Sequence, residues 1–351
     1  MKAVRLRTYG QHPVVEEVAE PKITNPYDVI VHIGGAGLCR TDLHIIEGQF
    51  RDKSGITLPY ILGHENAGWV QAIGSAVSNI AVGDTVIVHP QISCGFCRAC
   101  RAGDDMHCSH AAFPGMDTDG GMAEYLKTSA RAVIKLDPQM EPKDIAALAD
   151  AGITTYHAVK KAATQLYPGT KAVVIGAGGL GHIGIQSLKA LTPAEIIVVD
   201  RSNEVLELCR AWGADHTVLA DGKQVTMVRE ITDGQGAEVI LDFVGEGHSI
   251  VDGIAMLQRA GSYYLIGYGG QLAVPTIDVI ATEINFVGNL VGTYNELVEL
   301  MTLTRQGKVT LHTRFYPLEA ANEAIHDLET GQLRGRGILV PSEQMLFCAN
   351  R

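Results

Sequence analysis

The stretch that most restricts how this chain can fold begins with a short apolar run, Ala172–Ile175. The run enters Gly176-Ala177-Gly178-Gly179-Leu180-Gly181, and a helix-length segment, Gly181–Leu191, follows. Glycines at the first, third and sixth positions permit a tight strand-to-helix turn. They also let a pyrophosphate approach backbone N–H groups at the helix N-terminus. The next apolar run, Ile196–Val199, ends on Asp200, nineteen residues beyond Gly181. A carboxylate there accepts hydrogen bonds from the adenosine ribose hydroxyls and repels a 2′-phosphate, so the pattern calls for NAD(H) over NADP(H). Arg201 is the one neighbour that would soften this preference. Glu238–Leu241 and Tyr263–Ile266 repeat the short buried run and Asn203–Trp212 supplies a further helix. Residues 152–292 therefore read as a doubly wound parallel sheet.

The flanking sequence has a different rhythm. Residues 1–151 carry short apolar segments, such as Val29–Ile33, Trp69–Ile73 and Thr85–His89, separated by Gly-, Pro-, Asp- and Asn-rich turns. That is the pattern of an antiparallel β region. After 292, Tyr294–Gln306 and Leu318–Thr330 read as helices and Gly337–Val340 as a closing strand. A length of 351 residues also calls for more than one core. The net charge of −11 argues against nonspecific nucleic-acid binding. No membrane span is expected, because the longest uncharged stretch is the glycine-rich turn itself. Met1–Arg7 reaches charge at once, without an apolar export core, so a cytoplasmic protein is expected.

Cys94, Cys97, Cys100 and Cys108 place four thiols within fifteen residues. Short loops can bring them to one point around a tetrahedral zinc, a closed site whose task is to hold a loop over about 93–109. Two disulfides would need an oxidising compartment, and the total of seven cysteines is odd. Cys209 and Cys348 read as structural or free thiols.

Taken in order, Gly37-Leu38-Cys39-Arg40-Thr41-Asp42, Gly63-His64-Glu65, the four-cysteine segment and the glycine fingerprint resemble the zinc-containing medium-chain alcohol dehydrogenases. The similarity runs from Met1 to about Pro341. It implies a GroES-like antiparallel β catalytic domain built from 1–151 and 293–351, with a Rossmann domain inserted at 152–292. It also implies a second, catalytic zinc held by Cys39, His64 and Asp150, with Glu65 beside it. Read alone, Asp150 would be taken as the cap of the following helix. Many relatives carry cysteine at that position, and the aspartate resembles bacterial members that oxidise secondary alcohols.

The resemblance further implies a proton path from Thr41 to His44, with Asp42 orienting the ligand histidine. Arg40 and Arg336 fall where the family meets the pyrophosphate, and Thr154, Val244, Ile266 and Val291 where it lines the nicotinamide pocket. An open position on a three-ligand zinc supplies a Lewis acid that lowers an alcohol's pKa or polarises a carbonyl. Ile46, Phe50, Phe113 and Leu290 are expected to line an apolar substrate pocket. The expected activity is reversible hydride transfer between an apolar alcohol, chiefly secondary, and NAD. A primary or aryl alcohol dehydrogenase and a zinc-free quinone or enoyl reductase are the alternatives. A non-catalytic zinc ribbon is disfavoured, because Arg98 and Arg101 are offset by Asp104 and Asp105. A homotetramer or homodimer is expected by resemblance.

Overall fold

The computed structural model describes residues 1–51 and 56–341, so Cys348 lies outside the described residues. The chain divides into two compact units, one of Met1–Ala151, Thr293–Met301 and Leu311–Arg351, the other of Gly152–Gly292 and Thr302–Thr310.

In the second unit six parallel strands form one sheet. Their order is His216–Leu219, Glu195–Asp200, Lys171–Ile175, Ala237–Asp242, Leu257–Leu265 and Asn285–Gly288. The strand order reverses between Lys171–Ile175 and Ala237–Asp242, the switch point where such sheets take a ligand at their carboxyl ends. Alternation along each strand sends neighbours to opposite faces. Val174, Val198, Leu241 and Tyr264 pack in one apolar cluster, and Val173, Ile197, Ile240 and Tyr263 in another. Both faces are covered, which explains why these strands read as unbroken apolar runs.

Residues 302–310, expected in the flanking domain, cluster instead with this sheet. Gln186 is the local cause. Its amide donates to the Thr310 carbonyl at 2.9 Å, and its oxygen accepts from the Thr310 N–H at 2.9 Å.

The first unit is GroES-like. Its main sheet runs Thr313–Pro317, Arg336–Val340, Asp28–Leu38, Glu65–Ile73, Thr85–Val88 and Val133–Lys135, with Tyr125–Ser129 also paired to Asp28–Leu38. All of its pairings are antiparallel except the first, which is parallel. A smaller sheet joins Val14–Glu17, Lys2–Leu6 and Tyr60–Ile61. Val31, Ile33, Leu38, Leu62, Val86 and Leu126 lie in one continuous core. This core fixes the ends of Asp28–Leu38 and Glu65–Ile73, beside which the candidate metal ligands stand. No helix among the described residues is long and apolar enough to cross a membrane.

Candidate metal centres and dinucleotide site

Cys39 follows the strand Asp28–Leu38 and is the N-cap of the helix Arg40–Ile46. Asp42, three residues on, reaches back so that its Oδ2 accepts from the Cys39 N–H at 2.9 Å. This is the reciprocal half of a capping box, and it holds Cys39 at the helix entrance. The other Asp42 oxygen lies 3.5 Å from His64 Nδ1, while Asp150 Oδ2 lies 3.4 Å from His64 Nε2. Ligand atoms of Cys39, His64, Glu65 and Asp150 all fall within 4.8 Å of one another, so the structure brings the expected ligand set together. Asp150 ends a short 3-10 turn, and its carboxylate faces His64.

Two observations test whether this pocket suits a cation. Both His64 ring nitrogens and Asp42 Oδ1 are buried without a directed hydrogen bond, a state that normally costs about 1–3 kcal/mol per group. Burial alone would lower the His64 pKa. Instead it is driven well above the ordinary histidine value by Asp42, Asp150 and Cys39. The pocket carries surplus negative charge, and a divalent ion would answer it. Thiolate, imidazole and carboxylate are the donor types zinc accepts. An aspartate at the third position is a harder donor than thiolate.

Glu65 is fully buried. Its Oε1 accepts from the Ala151 N–H at 3.1 Å and its Oε2 from Arg336 Nη2 at 2.5 Å. Arg336 was expected by resemblance to meet the pyrophosphate. It is 4% exposed and engaged with Glu65, because an unpaired carboxylate at this depth would be costly. Thr41 and His44 lie on the helix Arg40–Ile46, three residues apart and so on one side of it, and Arg40 at its start is exposed. Phe113 stands near the pocket, its ring 6.2 Å from that of His64. Phe50 packs half-buried against the core. Ile46 is buried with Leu43 and Ile45 in the apolar core. Leu290, in the other unit, is 58% exposed.

The four lobe thiols converge as well, with their sulfurs within 4.8 Å of one another and none oxidised. Backbone N–H groups of Phe96 and Cys97 point at Cys94 Sγ at 3.4 Å, and that of Cys94 points at Cys108 Sγ at 3.3 Å. Donors from Cys100 and Ser109 pull the Cys97 thiol down to about 6. Such N–H cradles favour thiolates, the form that binds metal. Cys209 differs. It is buried, its thiol donates to the Val205 carbonyl at 3.0 Å, and burial, with Asp200 nearby, pushes it up to about 12.

In the parallel-sheet unit the glycines are sterically required in two ways. A Cβ on Gly181 would lie 1.9 Å from the Gly176 carbonyl oxygen, so helix and turn touch there. A Cβ on Gly178 would meet nothing within 4 Å, which leaves open space beside the turn for a ligand's close approach. Gly179 and Leu180 complete the turn, the Leu180 carbonyl accepting from the N–H groups of Ile183 and Gly184. Asp200 is held by two backbone donors, Ala177 N–H at 2.8 Å and Ser202 N–H at 2.9 Å. Its carboxylate is thereby aimed from the strand end, while Arg201 is exposed. Thr154 and Val244 are half-buried, and Ile266 and Val291 are 8% exposed. Val291 has φ 46°, left-handed backbone that a β-branched residue adopts only under constraint.

Sequence reasoning missed Asp242, a fully buried carboxylate at the end of Ala237–Asp242. The signal was an acidic residue following the apolar run Val239–Leu241 at the strand end, in the position Asp200 takes on its own strand.

A GroES-like domain with two groups of side chains able to hold a metal, in one chain with a Rossmann-like sheet and its glycine turn, defines a zinc-binding dehydrogenase. Residues 25–138 match the alcohol dehydrogenase GroES-like domain and residues 179–306 the zinc-binding dehydrogenase domain. An NAD-dependent alcohol dehydrogenase of Sulfurisphaera tokodaii is 35% identical over 97% of this chain and 100% of that protein. A D-arabinose 1-dehydrogenase (NADP(+)) of Saccharolobus solfataricus is 33% identical over 97% of each chain. The crystal structure of an alcohol dehydrogenase from Aeropyrum pernix superposes with a TM-score of 0.95, at 46% identity over 97% of this chain and 100% of that one. The chain belongs to the zinc-containing medium-chain alcohol dehydrogenase family.

Proposed function

We propose that this chain is an NAD-dependent alcohol dehydrogenase, carrying two zinc ions of unequal role and preferring apolar secondary alcohols and their ketones. The observation that carries the reading is the buried convergence of Cys39, His64 and Asp150, with orphaned imidazole nitrogens and surplus negative charge. A zinc bound there would supply Lewis acidity toward an alcohol or carbonyl oxygen.

The chain's own groups would do the rest. Asp42 orients His64 from one side, and Arg336 neutralises Glu65 on the other. Thr41 would take the substrate hydroxyl proton and His44 would pass it outward, a task suited to a side chain that titrates near neutrality. Phe113 would present an apolar wall. In the Rossmann-like domain, Gly176, Gly178 and Gly181 would admit the pyrophosphate. Asp200 would hold the ribose hydroxyls, and Thr154, Val244, Ile266 and Val291 would surround the nicotinamide. Arg40, exposed at its helix start, is the remaining candidate for the pyrophosphate, with Arg336 contributing only through the face it does not give to Glu65.

The thiols of Cys94, Cys97, Cys100 and Cys108 would hold the second zinc. Four protein donors leave it no open position, so its role is structural. Among the described residues the strand Asn285–Gly288 pairs on one side only, which supports a homodimer or homotetramer joined at that edge. We place the enzyme in the cytoplasm, where reduced thiols persist.

The test is NADH absorbance with an alcohol panel, run with NAD and with NADP. NAD reduction that requires both alcohol and zinc is expected. Its absence across the panel would overturn the reading, and activity toward quinones or enones in a zinc-free protein would favour the reductase alternative.

A further inference from the structure

The carboxylate of Asp242 is fully buried in the Rossmann-like domain and has no part in the chemistry above. It accepts from four donors. The Val244 and Gly245 N–H groups reach Oδ1 at 2.8 and 2.9 Å. The Ser249 hydroxyl and the Tyr263 hydroxyl reach Oδ2 at 2.9 and 2.6 Å. Its backbone carbonyl accepts two more, from Ile266 N–H at 3.1 Å and Gly267 N–H at 2.9 Å. One residue thus grips both strand-end loops, the one bearing Val244 and the one bearing Ile266. It stands at the switch point of the sheet, paired in register with Ile175, the residue before the glycine turn. Val244 is pressed against that turn, its Cγ2 2.5 Å from where a Cβ on Gly176 would lie.

A buried charge stabilised by so many donors is an expensive way merely to fill space, since a well-packed apolar side chain would serve at least as well. What a carboxylate adds is fixed geometry. Two convergent backbone N–H groups and two hydroxyls allow the 243–245 loop one arrangement. Tyr263 is itself buried, and burial together with Asp242 raises its phenol far above the ordinary value, so it remains a donor.

We propose that Asp242, braced by Tyr263 and Ser249, is a positioning residue that presets the nicotinamide half of the dinucleotide site and leaves the adenosine half untouched. The inference rests on the NAD reading above. It separates Asp242 from Asp200 and the glycine turn, which serve the other half.

The test measures dissociation constants of NAD and of ADP-ribose, which lacks the nicotinamide, by fluorescence titration, with thermal melting alongside. In Asp242→Asn the shape is kept but one acceptor becomes a donor. NAD should bind roughly tenfold more weakly, the scale of a lost charge-assisted hydrogen bond, with ADP-ribose unchanged within about twofold. Tyr263→Phe, which keeps the ring packing, should show a smaller selective loss, and it decides the matter if Asp242→Asn does not fold. Equal weakening of both ligands, or a lower melting temperature with neither constant moved, would mean a purely structural role and overturn the proposal. A wild-type chain that binds ADP-ribose but not NAD, or binds neither, would overturn the NAD reading and this inference with it.

Discussion

Single residues carry most of the recognition chemistry, and two glycines make opposite demands. Gly181→Ala forces a methyl group onto the Gly176 carbonyl, so the turn itself must move. Overpacking of this kind costs about 1–3 kcal/mol, and a lower melting temperature with weaker NAD binding is expected. Gly178→Ala meets no neighbouring atom. It should fold with an unchanged melting temperature and still lose NAD affinity, because the methyl group occupies ligand space. Retained affinity in Gly178→Ala would argue against a pyrophosphate at this turn. On the proposed reading, Asp200 sets the choice of cofactor. Forcing a 2′-phosphate against an oriented carboxylate costs on the order of several kcal/mol, so NAD should be favoured over NADP by at least about a hundredfold in kcat/KM. Asp200→Gly should narrow that gap. Equal efficiency of the two cofactors in the wild type would assign the recognition to Arg201.

Elements decide how sequence-distant ligands meet. The four thiols are neighbours in sequence, and a few turns suffice to gather them. The other candidate metal site depends on a helix N-cap at Cys39, the residue preceding Glu65–Ile73, and the start of the helix at 151–163. Loss of a thiol should therefore act differently at the two places. Cys100→Ser should chiefly lower thermal stability, whereas Cys39→Ser should abolish turnover in a protein that melts near the wild-type temperature. Metal analysis should give two zinc ions per chain in the active enzyme and about one in Cys39→Ser. A single zinc in fully active wild-type protein would contradict the two-site reading. Residues 302–310 begin inside the helix Tyr294–Arg305, and the Gln186 side chain, 124 residues before Thr310, ties their end to the parallel-sheet unit.

At the scale of the whole molecule, the open question is which alcohol the enzyme prefers. A carbonyl carbon with two substituents needs room on both sides of the reacting oxygen, and on the proposed reading Asp150 with Phe113 would give the pocket an acidic metal face and an apolar wall. Each buried methylene contributes about 1–3 kcal/mol, so 2-hexanol should exceed ethanol by roughly tenfold or more in kcat/KM, and should also lead 1-hexanol. A clear lead for primary alcohols would defeat the preference and leave the metal and cofactor assignments standing. Much of this protein was legible from its residues alone. The parallel-sheet strands, the helices Gly181–Leu191 and Asn203–Trp212, the thiol lobe and the metal-ligand candidates all declare themselves through periodicity, glycine spacing or family likeness, because local sterics and donor chemistry act within a few residues. Tertiary structure alone decided three things: that Arg336 is buried against Glu65, that Ile46 belongs to the core, and that Asp242 holds two strand-end loops at once. Each depends on which distant groups share a low-dielectric interior, where a charge must find its partner. No pattern along one strand of sequence encodes that pairing.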